Sequence, residues 1–389
     1  MKIAMIIPDN RDEFRRHDDP LPYFGPAPTA LLDGLATQPE CEVHIVCCVK
    51  KKVHAPEKIA PNIFFHTEIV PQSGWLRGGY IGCIRSIRRQ LKKIQPDIVH
   101  GQGTERYCAL ASVFSGLPNV LTIHGNMRLV AKVNHARPFS FYWLAARLEN
   151  FTLPRTDGVV CISNYTRDAV KNLASRTWVL PNAVDESFFN LTNSKAKQAV
   201  PIILCIGVIC HRKNQNDFIR ALDPLALQKK FKLIFLGQVD ESDYCAEFFR
   251  LIKSRAWCVH EKFSGRERVK EFFQMATMLA LPTLEDNCPM VVLEAMAAGV
   301  PVLASNVGGV PDLITPGKNG LFCDPQQPET FCAGVKGLLM DGELAQCLSF
   351  AAREEARVKF HPHVIAQKHL EIYREVLEGE NYQPAMMAA

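Results

Sequence analysis

The sequence lacks several features that would place it at once. No apolar run approaches the roughly 18 residues that cross a bilayer. The apolar start Ile3–Ile7 halts at Pro8-Asp9, which reads as a first strand rather than the core of a signal peptide. Its 14 cysteines form no C-x-x-C pair. Scattered single cysteines of this kind serve as small apolar residues in a reducing compartment, so neither a disulfide framework nor a zinc site is expected, and the cytoplasm is the expected location. No G-x-G-x-x-G follows the first strand, where Pro8-Asp9-Asn10-Arg11 stands instead, and no G-x-x-x-x-G-K-[ST] occurs. Dinucleotide-dependent redox chemistry and P-loop hydrolysis are thereby set aside. A net charge of +5 and a pI near 8.5 carry no nucleic-acid signature.

What is present is alternation. Short β-branched runs trade with helix-length amphipathic segments along the chain, the pattern of parallel α/β units. In the first half, strands are expected at Lys2–Ile7, Glu42–Cys48, Asn62–His66, Asp97–His100, Asn119–His124 and Asp157–Ile162. A polar stretch, Asn190–Ala199, reads as a linker, after which the alternation restarts at Pro201–Ile206. The expectation is an α/β protein of two facing Rossmann-like domains with a cleft between them. The domains are residues 1–190 and 200–360, and a closing helical segment with a tail, 361–389, returns to the first. In doubly wound sheets, ligands sit at the carboxyl ends of the strands.

The segment Leu281–Ser305 carries the most chemistry. It reads as strand, acidic turn (Glu285-Asp286-Asn287), helix, glycine stop at Gly299 and strand. Asp286 or Asn287 is expected to cap the helix, with Pro289 in its first turn. The free N–H groups and positive dipole end at such a helix start make a seat for phosphate. Asp286 and Glu294 are eight residues apart. Carboxylates beside a phosphate seat would repel it, so their sensible partners are sugar hydroxyls.

With its surroundings, this segment resembles the retaining glycosyltransferases of the family-4 type, which have the GT-B fold. The resemblance rests on an acid-x7-Glu pair followed by Glu294-Ala-Met-Ala-Ala-Gly-Val-Pro-Val302, on Ser305–Asp312, and on Gly317-Lys-Asn-Gly320. Further family-like stretches are Gln95–His100, Thr122–Gly125, Cys161–Arg167, Leu180–Asp185 and Ile206–Lys213. It implies a catalytic pair in which His124 reaches toward the donor sugar and Asp286 holds its hydroxyls. It also implies that Glu294 takes the ribose, that the Met290 and Val291 N–H groups meet the diphosphate, and that Lys213 pairs with that diphosphate. No D-x-D metal motif is present. The expected donor is a nucleotide-sugar, UDP-linked by preference and GDP- or ADP-linked as alternatives, with no cofactor or metal. Retention without a protein nucleophile would follow from front-face attack, the donor phosphate accepting the acceptor's proton.

Three departures from the family pattern stand out. The first acid is aspartate, with Glu285 just before it as an alternative sugar ligand. Val208 occupies the place of an arginine, and His211 or Arg212 is the candidate substitute. The loop Asp9–Pro28 is long and charged; Arg11, Arg15 and Arg16 in it are expected to face the cleft and help choose a saccharide or lipid-linked acceptor. Between Ile69 and Pro96 no acid occurs, whereas Arg77, Arg85, Arg88, Arg89, Lys92 and Lys93 do. Ile81, Ile84, Ile87, Leu91 and Ile94 share an arc of the helix over 80–94, leaving a basic face that is either solvated or in peripheral contact with anionic lipid headgroups at the inner membrane face or with a phosphorylated lipid acceptor. The expected activity is transfer of a sugar to a hydroxyl in polysaccharide or glycolipid synthesis. The rivals are a non-catalytic nucleotide-sugar-binding partner subunit, for which Val208 speaks, and a nucleotide-sugar epimerase of the same fold.

Overall fold

A computed structural model describes residues 1–133, 135–192, 199–240, 242–263 and 265–380. Most of the expected linker, 193–198, and the expected tail beyond 380 lie outside the described residues. By their contacts the residues form two units, Met1–Ala183 together with the segment from Pro362 onward, and Val184–His361.

The first unit is built on a sheet of eight strands in the order β3-β4-β2-β1-β5-β6-β7-β8. These are β1 (Lys2–Ile6), β2 (Glu42–Val49), β3 (Lys58–Ala60), β4 (Ile63–Ile69), β5 (Ile98–Gln102), β6 (Asn119–Ile123), β7 (Gly158–Cys161) and β8 (Thr177–Val179). All pair in parallel except β3 with β4. Helices α1 (Pro26–Ala36), α2 (Ile81–Ile94), α3 (Tyr107–Val113), α4 (Met127–Val133), α5 (Phe141–Thr152) and α6 (Asn164–Val170) connect them. After Lys2, β1 is apolar because its sheet is covered on both faces: Ile3 and Met5 enter one cluster, Ala4 and Ile6 the other.

The second unit has six parallel strands in the order β11-β10-β9-β12-β13-β14. These are β9 (Ile202–Ile206), β10 (Lys232–Leu236), β11 (Cys258–Glu261), β12 (Met278–Leu281), β13 (Val302–Ser305) and β14 (Leu321–Cys323). Helices α7 (Gln215–Gln228), α8 (Asp243–Lys253), α9 (Arg266–Met275), α10 (Met290–Ala298), α11 (Pro328–Met340) and α12 (Gly342–Lys359) surround it. Strand order reverses between β9 and β12, so the loops after these two strands flank the switch point at which doubly wound sheets take ligands.

The last helix, α13 (Pro362–Glu380), belongs to the first unit and lies along α1. Its Ile365, Leu370 and Tyr373 join the core of Ile3, Met5 and Leu35. Gly34 permits the approach: a Cβ there would stand 2.1 Å from the Pro362 carbonyl oxygen. Three strands escape a reading of periodicity, namely β3, β8 and β11. Each lies at an edge of its sheet and is only partly buried, so no continuous apolar run marks it in the sequence.

Candidate active site

At the switch point of the second unit, the loop after β9 and the loop after β12 are laced together. Leu284 N–H donates to the Arg212 carbonyl (2.8 Å), and Thr283 Oγ1 donates to the same oxygen (3.0 Å). This brings Lys213 Nζ onto the Asp286 carboxylate in a short ion pair, each side chain only 14% exposed. Arg212 stands beside them, Nη1 lying 2.8 Å from the Glu285 carbonyl, 3.7 Å from its carboxylate and 3.8 Å from that of Asp286. Burial pushes the Glu285 carboxyl up, while Arg212 opposes the shift. Gly308, at φ 57, leaves room for the Asp286 carbonyl, which a Cβ there would meet at 2.0 Å; Gly309 N–H donates to that carbonyl at 2.9 Å.

The expected cap of α10 is corrected. Pro289 occupies the cap position and no side chain caps the helix. The Asp286 carboxylate is engaged by Lys213 and by the Asn287 N–H (3.1 Å) instead. Met290 and Val291 therefore open the helix with N–H groups that have no acceptor within it. Val208 is 51% exposed at the edge of this region.

Glu294, one turn on from Met290, is only 1% exposed. Arg266 at the start of α9 donates to its Oε1 at 2.6 Å. Burial pushes the Glu294 carboxyl up and Arg266 pulls it back. The Arg266 guanidinium also lies 5.0 Å over the ring of Phe188. Sequence reasoning missed Arg266. It sits 28 residues before its partner in an ordinary-looking charged helix, and no local pattern marks it.

In the first unit, His124 follows β6 and its Nε2 donates to Gln102 Oε1 at 2.7 Å. Behind it, buried His100 lies between Tyr373 Oη (2.5 Å) and Thr122 Oγ1 (2.7 Å), and its ring is 5.5 Å from that of His369. Glu149, fully buried, accepts from Thr104 Oγ1 (2.7 Å) and from the N–H groups of Met127 (3.0 Å) and Arg128 (3.3 Å), which fixes the turn after His124. None of these supporting residues was singled out from sequence; His369 and Tyr373 arrive from the far end of the chain.

Burial pushes the imidazoles of His124 and His369 down to about 4, and that of His100 well below its usual range. Each folded value lies below the unfolded one, so the unfolded chain binds more protons in between. The associated stability is present above about pH 6.5 and is lost as the pH falls toward 4, up to about 3 kcal/mol for one such histidine. Thermal melts between pH 7 and pH 4.5 should therefore show a fall of several degrees, with a shallower fall in His369→Met; parallel profiles would contradict this account.

The loop Asp9–Pro28 divides. Arg11, expected to face the cleft, is turned inward instead. It is 0% exposed, paired with Asp9 at 2.7 Å, and its Nη1 donates to the carbonyls of Asp19 (2.7 Å) and His54 (2.9 Å). A buried guanidinium needs such partners, and here it staples the loop rather than serving a ligand. Arg15 and Arg16 are exposed. On α2, Ile87, Leu91 and Ile94 are buried as the arc requires, but Ile81 is 52% exposed. Arg85, Arg88, Arg89, Lys92 and Lys93 face solvent. Among the described residues no helix is long and apolar enough to cross a membrane.

Two family models match in succession: Glycosyltransferase Family 4 over residues 29–188 and Glycosyl transferases group 1 over residues 188–355. Among curated relatives, an uncharacterized glycosyltransferase of Methanocaldococcus jannaschii is 27% identical over 46% of this chain and 45% of its own length. Alpha-maltose-1-phosphate synthase of Mycolicibacterium smegmatis is 26% identical over 69% of this chain and 75% of its own. N-acetyl-alpha-D-glucosaminyl L-malate synthase of Bacillus anthracis is 25% identical over 83% and 87%. In fold, the chain matches sucrose-phosphate synthase from Thermosynechococcus elongatus (TM-score 0.76, 18% identity, 97% of this chain and 100% of that one). It also matches Anabaena HepE in complex with UDP-glucose (TM-score 0.71, 18% identity, 96% and 100%).

Proposed function

This chain belongs to the family-4 glycosyltransferases, and from that premise we propose that it moves a sugar, with retention and without metal, from a nucleotide-sugar to an acceptor hydroxyl. The observation that carries the reading is the meeting of Lys213, Arg212, Asp286 and the uncapped start of α10 at the switch point of the second sheet. A diphosphate seated on the Met290 and Val291 N–H groups would meet the positive end of α10. It would also draw on Lys213, which has the Asp286 carboxylate as its partner otherwise. Asp286 then holds the donor-sugar hydroxyls, with Glu285 beside it, and Glu294 holds the ribose.

In the reaction, the acceptor oxygen bonds to the anomeric carbon as the bond from that carbon to the diphosphate oxygen breaks. The acceptor's proton passes to the departing phosphate. Negative charge grows on the diphosphate, where Lys213, Arg212 and the helix start stabilise it best in the transition state. His124 serves the donor sugar as a neutral imidazole, in keeping with its lowered pKa and its bond to Gln102. UDP is the favoured nucleotide, since the similar fold of HepE is described with UDP-glucose. The acceptor belongs to polysaccharide or glycolipid synthesis, and the protein works at the cytoplasmic side, with the basic face of α2 toward anionic lipid.

A thermal-shift panel of UDP, GDP and ADP with their sugars, with and without EDTA, tests this reading. Ligand at 100 times its dissociation constant adds about 2.7 kcal/mol, several degrees in Tm. A shift with one nucleotide class that EDTA leaves intact is the expected result. No shift with any of them overturns the donor assignment. Binding without acceptor-dependent turnover would instead identify a partner subunit, the reading that Val208 favours.

A further inference from the structure

We infer that the pocket at the carboxyl edge of the first unit's sheet binds the acceptor through a phosphate-type anion. This rests on the transferase reading and names the class of its acceptor. The cavity, about 550 Å³, opens where β1 gives way to Pro8 and Asp9, where β2 gives way to Lys50, and where α3 begins at Tyr107. β1 lies between β2 and β5. The pocket therefore occupies the switch point of this sheet, where doubly wound sheets take ligands. His124 follows β6, two strands from β1 on the same edge, the two strand axes lying about 10 Å apart at the usual spacing.

The charges of the pocket do not cancel. Asp9 is neutralised from inside by Arg11 at 2.7 Å. Asp12 has Lys50 at 3.6 Å, and Glu13 has Arg106 at 2.7 Å. Arg15 and Arg77 also line the cavity, and among the described residues no carboxylate lies within ion-pair distance of either. None can come from the chain around Arg77, because Glu68 and Asp97 are the nearest acids on either side. Two guanidinium groups thus flank a ligand-sized cavity without a countercharge. A neutral hydroxyl would leave that surplus standing, whereas a phosphate accepts bidentate, charge-assisted bonds from both.

The wall is aromatic and fixed. Trp75 donates through Nε1 to the Val70 carbonyl (3.0 Å), meets Tyr107 edge-on at 5.6 Å and has the Lys50 ammonium 5.0 Å over its ring. Tyr107 itself is held by the Cys48 N–H at 3.0 Å. Such a wall suits a sugar ring or hydrocarbon carried next to the phosphate. A soluble sugar phosphate and a membrane-borne lipid phosphate share this chemistry.

The test uses the full chain, its Arg15→Gln/Arg77→Gln variant and Lys213→Met, with two probes: glucose 6-phosphate in solution, whose phosphate is not on the anomeric carbon as the donor's is, and dodecyl phosphate in phosphatidylcholine vesicles. Neither arginine holds a structural ion pair, so the double variant should keep the wild-type Tm. It should bind the preferred probe about a hundredfold more weakly, about tenfold for each charged contact, whereas Lys213→Met keeps that affinity. Preference for one probe identifies the source of the phosphate, and either preference supports the assignment. Undiminished binding in the double variant, loss confined to Lys213→Met, or failure of both probes to bind the wild type overturns it. Nucleotide-sugar binding on the same proteins reports separately on the donor site: it should persist in the double variant and fall in Lys213→Met.

Discussion

A Lys213→Met variant should lose about 10²- to 10³-fold in kcat/KM, the usual cost of removing one preorganised group from the place where charge develops. Lys213 is held by the lacing of the loops after β9 and β12 and pairs with Asp286. Methionine keeps the stem and removes the ammonium, leaving Asp286 with Arg212, whose Nη1 is 3.8 Å away. If the lysine acts on the leaving diphosphate, kcat falls with kcat/KM, and nucleotide affinity falls less. Steady-state kinetics set beside nucleotide binding checks this. A change in KM alone would assign the lysine to uniform binding, and an unchanged kcat/KM would remove it from the site.

The second large effect concerns Glu294 and Arg266. Arg266→Met should destabilise the protein by about 3 kcal/mol at pH 8, because removing one partner of a buried pair leaves an uncompensated charge. Arg266 is itself partly exposed, so the figure is taken from the low end of that range. The wild-type carboxyl is already pushed up by burial, and loss of the cation raises it further. With a folded pKa above the unfolded one, the folded state holds the extra proton. The contribution is present below the unfolded value and is lost as pH rises through the folded one. The deficit of Arg266→Met relative to wild type should therefore shrink between pH 8 and pH 5, as denaturant titrations can measure. Glu294→Gln keeps the shape without the charge. It should fold and yet bind nucleotide about 10- to 100-fold more weakly, the span for a lost hydrogen bond to a charged group. Equal nucleotide affinity in Glu294→Gln and wild type would detach this carboxylate from the ribose.

Much of the architecture was legible because burial on both faces forces a strand to be apolar throughout. Ile3–Ile7 and Pro201–Ile206 announced the central strands of two parallel sheets without any tertiary knowledge. The segment Leu281–Ser305 was legible for a similar reason: a turn, a helix and a glycine stop are local, and Gly299 has the left-handed φ of 66 that its position requires. The cap of α10 was not legible. Asp286 is a good local capper, and only the arrival of Lys213 from the neighbouring loop decides that its carboxylate points elsewhere.

What the sequence by itself determined is the alternation, the two sheets and the residue types gathered near Asp286 and Glu294, all of which depend on neighbours within about ten positions. The tertiary structure decided the pairings. Lys213 with Asp286, Arg266 with Glu294 and His100 with Tyr373 join residues separated by 73, 28 and 273 positions. It also decided that Arg11 is buried while Arg15 and Arg77 stand beside a cavity without a countercharge. The physical reason is that hydrophobic periodicity states which face of an element is covered but not what covers it. Charge partners follow from which strands adjoin, and a chain that winds outward from the middle of a sheet sets side by side at the centre the strands that its sequence keeps far apart.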